Sequence, residues 1–148
     1  MNIQKDFEEL LELLTKHKVK YLIVGGYAVA FHGYPRFTND IDIFYEMSEE
    51  NVRKITECLV NFGFSYSEVN GKLFLKKGNI IVIGVEPLRV DFINEIDGVE
   101  FNEAWKNRIK GKYGSVSVNF ISRTDLIKNK SATKKIEDKL DVEKLTEI

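Results

Sequence analysis

One cysteine, two prolines and a pair of histidines are all that 148 residues contain of these types, and each scarcity excludes something. With Cys58 alone, no disulfide can form within the chain, which fits a reducing compartment. So few histidines and cysteines give no zinc constellation, and no Ser/His/Asp spacing marks a hydrolase. Two prolines and no Ser/Gly tract leave no linker, and there is no repeat or low-complexity segment. No apolar run approaches the roughly 18 residues of a membrane span. The opening MNIQKDFEELLELL carries acids throughout, unlike a signal peptide, so a cytoplasmic protein with no membrane association is expected. Neither charge sign dominates. Twenty-two Lys and Arg against 23 Asp and Glu give a net charge of −1, which is not the footprint of a general nucleic-acid binder.

What is present is the balance of a soluble globular protein, 43% hydrophobic and 30% charged. The length suits one domain over 1–148, with a sheet core and N-terminal helix in 1–121 and C-terminal helices in 122–148. Phe7, Leu10, Leu11 and Leu14 recur at helical spacing and predict an amphipathic helix from Lys5 to about His17. Tyr21–Val24 reads as a buried strand ended by Gly25-Gly26. A short helix follows and stops at Gly33 and Pro35. Asp40–Phe44 alternates as a strand. Ser48 caps a helix whose stripe is Val52, Ile55, Leu59 and Phe62. Short strands are expected at 64–67, 72–76 and 79–85, with a hairpin among them, and further strands at 88–93 and 115–121. FNEAWKNR reads as a short helix. Ser122 with Asp125 resembles a capping box that opens two terminal helices, broken near 131–133. The sum is an α/β or α+β domain around a central sheet.

The chemistry concentrates in VGGYAVAFHGYPRFTNDIDI, residues 24–43. Asp40 and Asp42 share one strand face about 7 Å apart at Cα. Like charges so placed call for a cation, and hard divalent ions such as Mg²⁺ prefer such oxygen ligands. Asp91 in LRVDFI is the best third carboxylate, because it projects away from the apolar layer of Leu88, Val90 and Phe92. Gly25 and Gly26 let the backbone approach a ligand closely, and the next helix aims its free N–H groups at the same place.

Strand, Gly-Gly, helix, Asp-x-Asp and a later strand Asp, in that order, resemble the DNA polymerase beta-like nucleotidyltransferase superfamily. GGYAVAFHGYPRFTNDIDI is similar to its small stand-alone bacterial members from toxin–antitoxin and abortive-infection systems, where an Arg-x-Thr precedes the acids as Arg36 and Thr38 do here. The C-terminal Lys130, Asp138 and Asp141 match the lysine and Asp-x-x-Asp of that group's terminal helices. The resemblance implies a mixed sheet flanked by helices. It also implies Mg²⁺- or Mn²⁺-dependent transfer of a nucleoside monophosphate from an NTP such as ATP. Asp40, Asp42 and Asp91 would hold metal, and Gly25, Gly26, Arg36, Thr38 and Lys130 would bind nucleotide or phosphate. The acceptor would be a tRNA end, a protein hydroxyl or a small molecule, and a toxin role would add a cognate antitoxin. Two alternatives stand beside it: an inactive nucleotide- or metal-binding regulatory module on the same fold, and an interaction domain whose acidic pair caps a loop.

Other residues read more plainly. His32 and His17 suit helix ends, Cys58 suits a core thiol, and Trp105 suits the core. Tyr27 is either core or a reach toward a base. Lys128, Lys134 and Lys135 form a positive cluster with Lys130 that would suit a triphosphate or an RNA backbone, but the acids that follow favour a solvated face. Asp138 and Asp141 could order Lys130 or Arg36, cap a pocket or do nothing special.

Overall fold

A computed structural model of the chain describes residues 3–35, 37–85 and 88–147. In α1 (Lys5–Lys16) the four expected apolar residues are all buried, and the helix closes where the His17 N–H bonds the Leu13 carbonyl. β1 (Tyr21–Val24) is wholly buried and runs directly into α2 (Gly25–Phe31), after which β2 (Asp40–Tyr45) returns antiparallel beside it. Ser48 accepts the Asn51 N–H at 3.2 Å and so starts α3 (Glu49–Phe62), which Gly63 ends at φ 138°.

Next come α4 (Gly71–Phe74), β3 (Ile80–Val85), β4 (Leu88–Ile93), α5 (Phe101–Lys106), β5 (Ile109–Tyr113) and β6 (Val116–Phe120). The Ser122 hydroxyl accepts the Asp125 N–H at 3.1 Å and opens α6 (Arg123–Ala132), and α7 (Ile136–Glu147) follows. The strands form one six-stranded mixed sheet in the order β3-β4-β2-β1-β6-β5. β2 pairs with β4 in parallel, and β1 pairs with β6 in parallel.

Period 2 divides β2 between two faces. Ile41, Ile43 and Tyr45 point to one, together with Val90 and Phe92 of the neighbouring strand. There Phe7 and Leu10 of α1 and Phe62 of α3 meet Val90 around a small apolar cavity. Asp40, Asp42 and Phe44 point to the other face, where the Phe44 ring meets Phe101 of α5 at 5.1 Å, edge to face.

Two of the expected strands are absent. Residues 64–67 form turns, because the Glu68 carboxylate accepts both the Ser65 N–H (2.9 Å) and its hydroxyl (2.8 Å). In 72–76 the Asn70 side chain caps α4 by accepting the Lys72 N–H at 3.0 Å, and Phe74 is buried against Tyr45 and Phe92. Local side-chain bonds outcompete a sheet ladder there, so the antiparallel partner of β3 is β4. β5 was not expected. It is an edge strand with exposed lysines, paired antiparallel to β6.

Candidate active site

The sheet register draws the acidic residues together. Asp42 of β2 lies directly beside Asp91 of β4, and Asp40 lies beside Arg89. On the other flank Asp42 pairs with Val24, the last residue before the glycines. Gly25 adopts φ 67°, and a Cβ added there would run into the Asp42 carboxylate. A Cβ on Gly26 would come within 2.8 Å of the Thr38 hydroxyl, which itself donates to the Asp40 carbonyl at 3.2 Å. Gly25, Gly26, Thr38, Asp40, Asp42 and Asp91 therefore form one neighbourhood. Arg36 lies outside the described residues.

Sequence reading missed Arg89. Its Nε and Nη2 donate to the two Asp91 oxygens at 2.9 and 3.0 Å, and Nη2 lies 3.2 Å from Asp40 Oδ2. The signal was present: Arg89 stands two residues before Asp91 on the same strand, hence on the same face. Its bridge to Asp40, however, follows from the β2–β4 register.

Lys130 of α6 is buried, with its ammonium 2.9 Å from Asp138 Oδ1 and 3.3 Å from Asp141 Oδ2 of α7. Asp138 also accepts a hydrogen bond from Thr133. Burial works against the charged form of Asp138, yet the bonds from Thr133 and Lys130 outweigh it and hold its pKa below the usual value. The Lys130 charge reaches the aspartates as well. Burial, then Asp91 and Asp40, lift the Asp42 pKa to about 6, against the opposing pull of Lys130 and Arg89.

A hard divalent cation is the group this donor set implies, and the residues fit it in kind. Three carboxylates share one face, the like charges around Asp42 are incompletely matched, and Asp40 Oδ1 is buried with no hydrogen-bond partner among the described residues. The described residues do not already gather three metal-ligating side chains into a cage. The positive charge between Asp40 and Asp91 is the Arg89 guanidinium.

The remaining candidates are structural. Tyr27 is buried against Phe7 and Tyr113 rather than open to a base. His32 Nε2 donates to the Ile121 carbonyl at 2.7 Å, and burial lowers its pKa. Trp105 is partly buried, stacked on Phe101, with the Arg108 guanidinium 3.9 Å from its ring centre. Cys58 is a buried thiol, pushed up to about 12 by burial and then by Glu57. Among the described residues no helix is long and apolar enough to cross a membrane.

Known structures share this architecture. The lincosamide antibiotic adenylyltransferase LnuA, solved with lincomycin bound, superposes with a TM-score of 0.58 at 18% identity, covering 99% of this chain and 98% of that one. An antigenic nucleotidyltransferase-like protein from Paracoccidioides brasiliensis gives a TM-score of 0.55 at 12% identity over 97% of this chain and 76% of its own. No curated protein matches the sequence. A family model described as "Nucleotidyltransferase of unknown function (DUF6036)" matches residues 1–146, and the chain belongs to that nucleotidyltransferase family.

Proposed function

We propose that the protein moves a nucleoside monophosphate from an NTP to an acceptor hydroxyl, with Mg²⁺ as the metal and Mn²⁺ as a substitute. The observation that carries this reading is the register placing Asp42 beside Asp91, with Asp40 two residues along the same face and Gly25-Gly26 at its edge. Asp40, Asp42 and Asp91 would hold the metal, which when bound neutralises the triphosphate and acidifies the acceptor hydroxyl. The chain's own part is position and charge. The missing side chains of Gly25 and Gly26 leave room for the Asp42 carboxylate and Thr38, and Thr38 fixes the loop that leads into Asp40. Lys130, held by Asp138 and Asp141, keeps a positive field on the triphosphate side, and Arg36 is a further phosphate ligand. The acceptor oxygen bonds to the α-phosphorus, the bond from that phosphorus to the α–β bridging oxygen breaks, and pyrophosphate leaves. The hydroxyl proton passes to a carboxylate of the cluster.

A small hydroxylated molecule is the acceptor we place first. The net charge of −1 gives no general excess for a polyanion, and LnuA, which shares the fold, is a lincosamide adenylyltransferase. A tRNA end or a protein, as in a toxin with a cognate antitoxin, is the second reading. Lys128, Lys134 and Lys135 favour it, being exposed around the α6–α7 junction.

The test is incubation with α-labelled NTPs, each base separately, with Mg²⁺ or Mn²⁺. Acceptors are total RNA, a protein lysate and a panel of hydroxylated small molecules. Label on any acceptor, lost in Asp40→Asn/Asp42→Asn, establishes the transfer and names the acceptor class. No transfer together with no thermal stabilisation by nucleotide, in folded protein, sinks the reading.

A further inference from the structure

We propose that Arg89 is a displaceable counter-ion built into the acidic site, so that a divalent cation binds Asp40, Asp42 and Asp91 only as the guanidinium leaves Asp91. The inference rests on the metal-dependent reading above and assigns a positioning role to a residue outside the glycine–aspartate motif.

Guanidinium and cation call on the same oxygens. The alternation of β4 puts Arg89 and Asp91 on one face, and the parallel register puts Arg89 opposite Asp40. The planar fork takes both Asp91 oxygens at 2.9 and 3.0 Å and reaches Asp40 Oδ2 at 3.2 Å. A hard cation needs the same oxygens at about 2.1 Å and carries two positive charges. Cation and guanidinium repel each other across so short a span and compete for the same lone pairs. Arg89 can yield: its side chain is 35% exposed and its stem is long. Asp40 Oδ1, buried and without a partner among the described residues, remains for an incoming ligand while Oδ2 is held. Until then the arginine keeps Asp40 and Asp91 from repelling each other.

Two measurements test this on the whole chain. Mn²⁺ alone is titrated by electron paramagnetic resonance into wild type, Arg89→Gln and Arg89→Lys, each shown folded by circular dichroism. Arg89→Gln is expected to bind Mn²⁺ about tenfold more tightly than wild type. The lysine keeps the charge but cannot engage both Asp91 oxygens, so Arg89→Lys falls between the two. In ¹⁵N-labelled wild type, the Arg89 Nε–H resonance, identified by its loss in Arg89→Lys, is expected to shift and exchange faster with water as Mg²⁺ is added. Equal or weaker Mn²⁺ binding by folded Arg89→Gln overturns the proposal but leaves the metal reading standing. An Arg89→Lys affinity equal to wild type beside a tightened Arg89→Gln also overturns it, because charge alone then accounts for the effect. So does an Arg89 resonance unmoved at saturating Mg²⁺. Mn²⁺ binding by none of the three removes the metal reading and this inference together.

Discussion

Asp42 has its proton affinity raised by burial first, then by Asp91 and Asp40. With a folded-state pKa of about 6, the folded chain keeps its proton over a pH range in which the unfolded chain has lost it. Stability therefore falls as pH rises from about 4 to about 6, and stays lower above that by up to about 3 kcal/mol. Asp42→Asn is accordingly expected to stabilise the protein by about 2–3 kcal/mol near neutral pH and to change little below about pH 4. Urea unfolding at both pH values checks this, and an equal effect at both would contradict it. Gly25→Ala acts in the opposite sense. It needs a positive φ and drives a methyl group into the Asp42 carboxylate, so it costs about 1–3 kcal/mol. By displacing that carboxylate it should also lower transfer about 100-fold, read from initial rates. That Asp40 and Asp42 share one face, and that Asp91 projects away from the apolar layer of its own strand, was legible in the sequence because strand alternation is a local rule; that β4 lies beside β2 with Asp91 opposite Asp42 was not. The bridge from Arg89 to Asp40 was not, because it depends on which strand lies next to which, and at what register.

At the level of elements, α6 and α7 are joined through a buried charge. Removing Asp138 leaves the Lys130 ammonium with less compensation and takes one acceptor from the Thr133 hydroxyl, so Asp138→Ala should destabilise by about 3 kcal/mol. Arg-like exposure does not soften this penalty, since Lys130 is itself buried. Asp138→Ala/Lys130→Met should cost less than the two single losses summed but should not restore wild-type stability, because the buried Asp141 carboxylate loses the same ammonium; a double-mutant cycle in urea measures the coupling. If the two losses instead add, the pair is not coupled. These helices were legible because the Ser122 cap and the break near 131–133 are local signals. Residues 64–76 misled because apolar alternation competes there with serine and asparagine turn chemistry, which wins. β5 escaped notice because lysine and glycine give it no strand signature of its own, and pairing with β6 makes it one.

The whole molecule shows two unlike sheet edges. β5 presents exposed Lys110 and Lys112, the usual guard against edge-to-edge pairing. β3 presents Ile80, 62% exposed, and Val82, 49% exposed. Wild type is expected to self-associate through this edge as its concentration rises and Ile80→Lys to do so less, read by sedimentation velocity, with the circular dichroism spectrum unchanged. The alignment of acids also depends on the whole sheet: α3, α4 and β3 intervene in the chain between Asp42 and Asp91. Elsewhere the sheet is thinly stitched. The parallel β1–β6 pairing has the single register pair Ile23 and Phe120, extended by the Ile121 N–H to the Ile23 carbonyl at 3.1 Å. On one side of this line lie β2 and β4 with the carboxylates; on the other, β6 and β5. It is a fault line. A crack along it would begin at the Ile121 amide, which hydrogen exchange should find opening before those of Ile43 and Phe92, while the helix bearing Lys130 stays with the acids, because Asn129 Nδ2 donates to the Asp97 carbonyl beyond β4 at 2.9 Å.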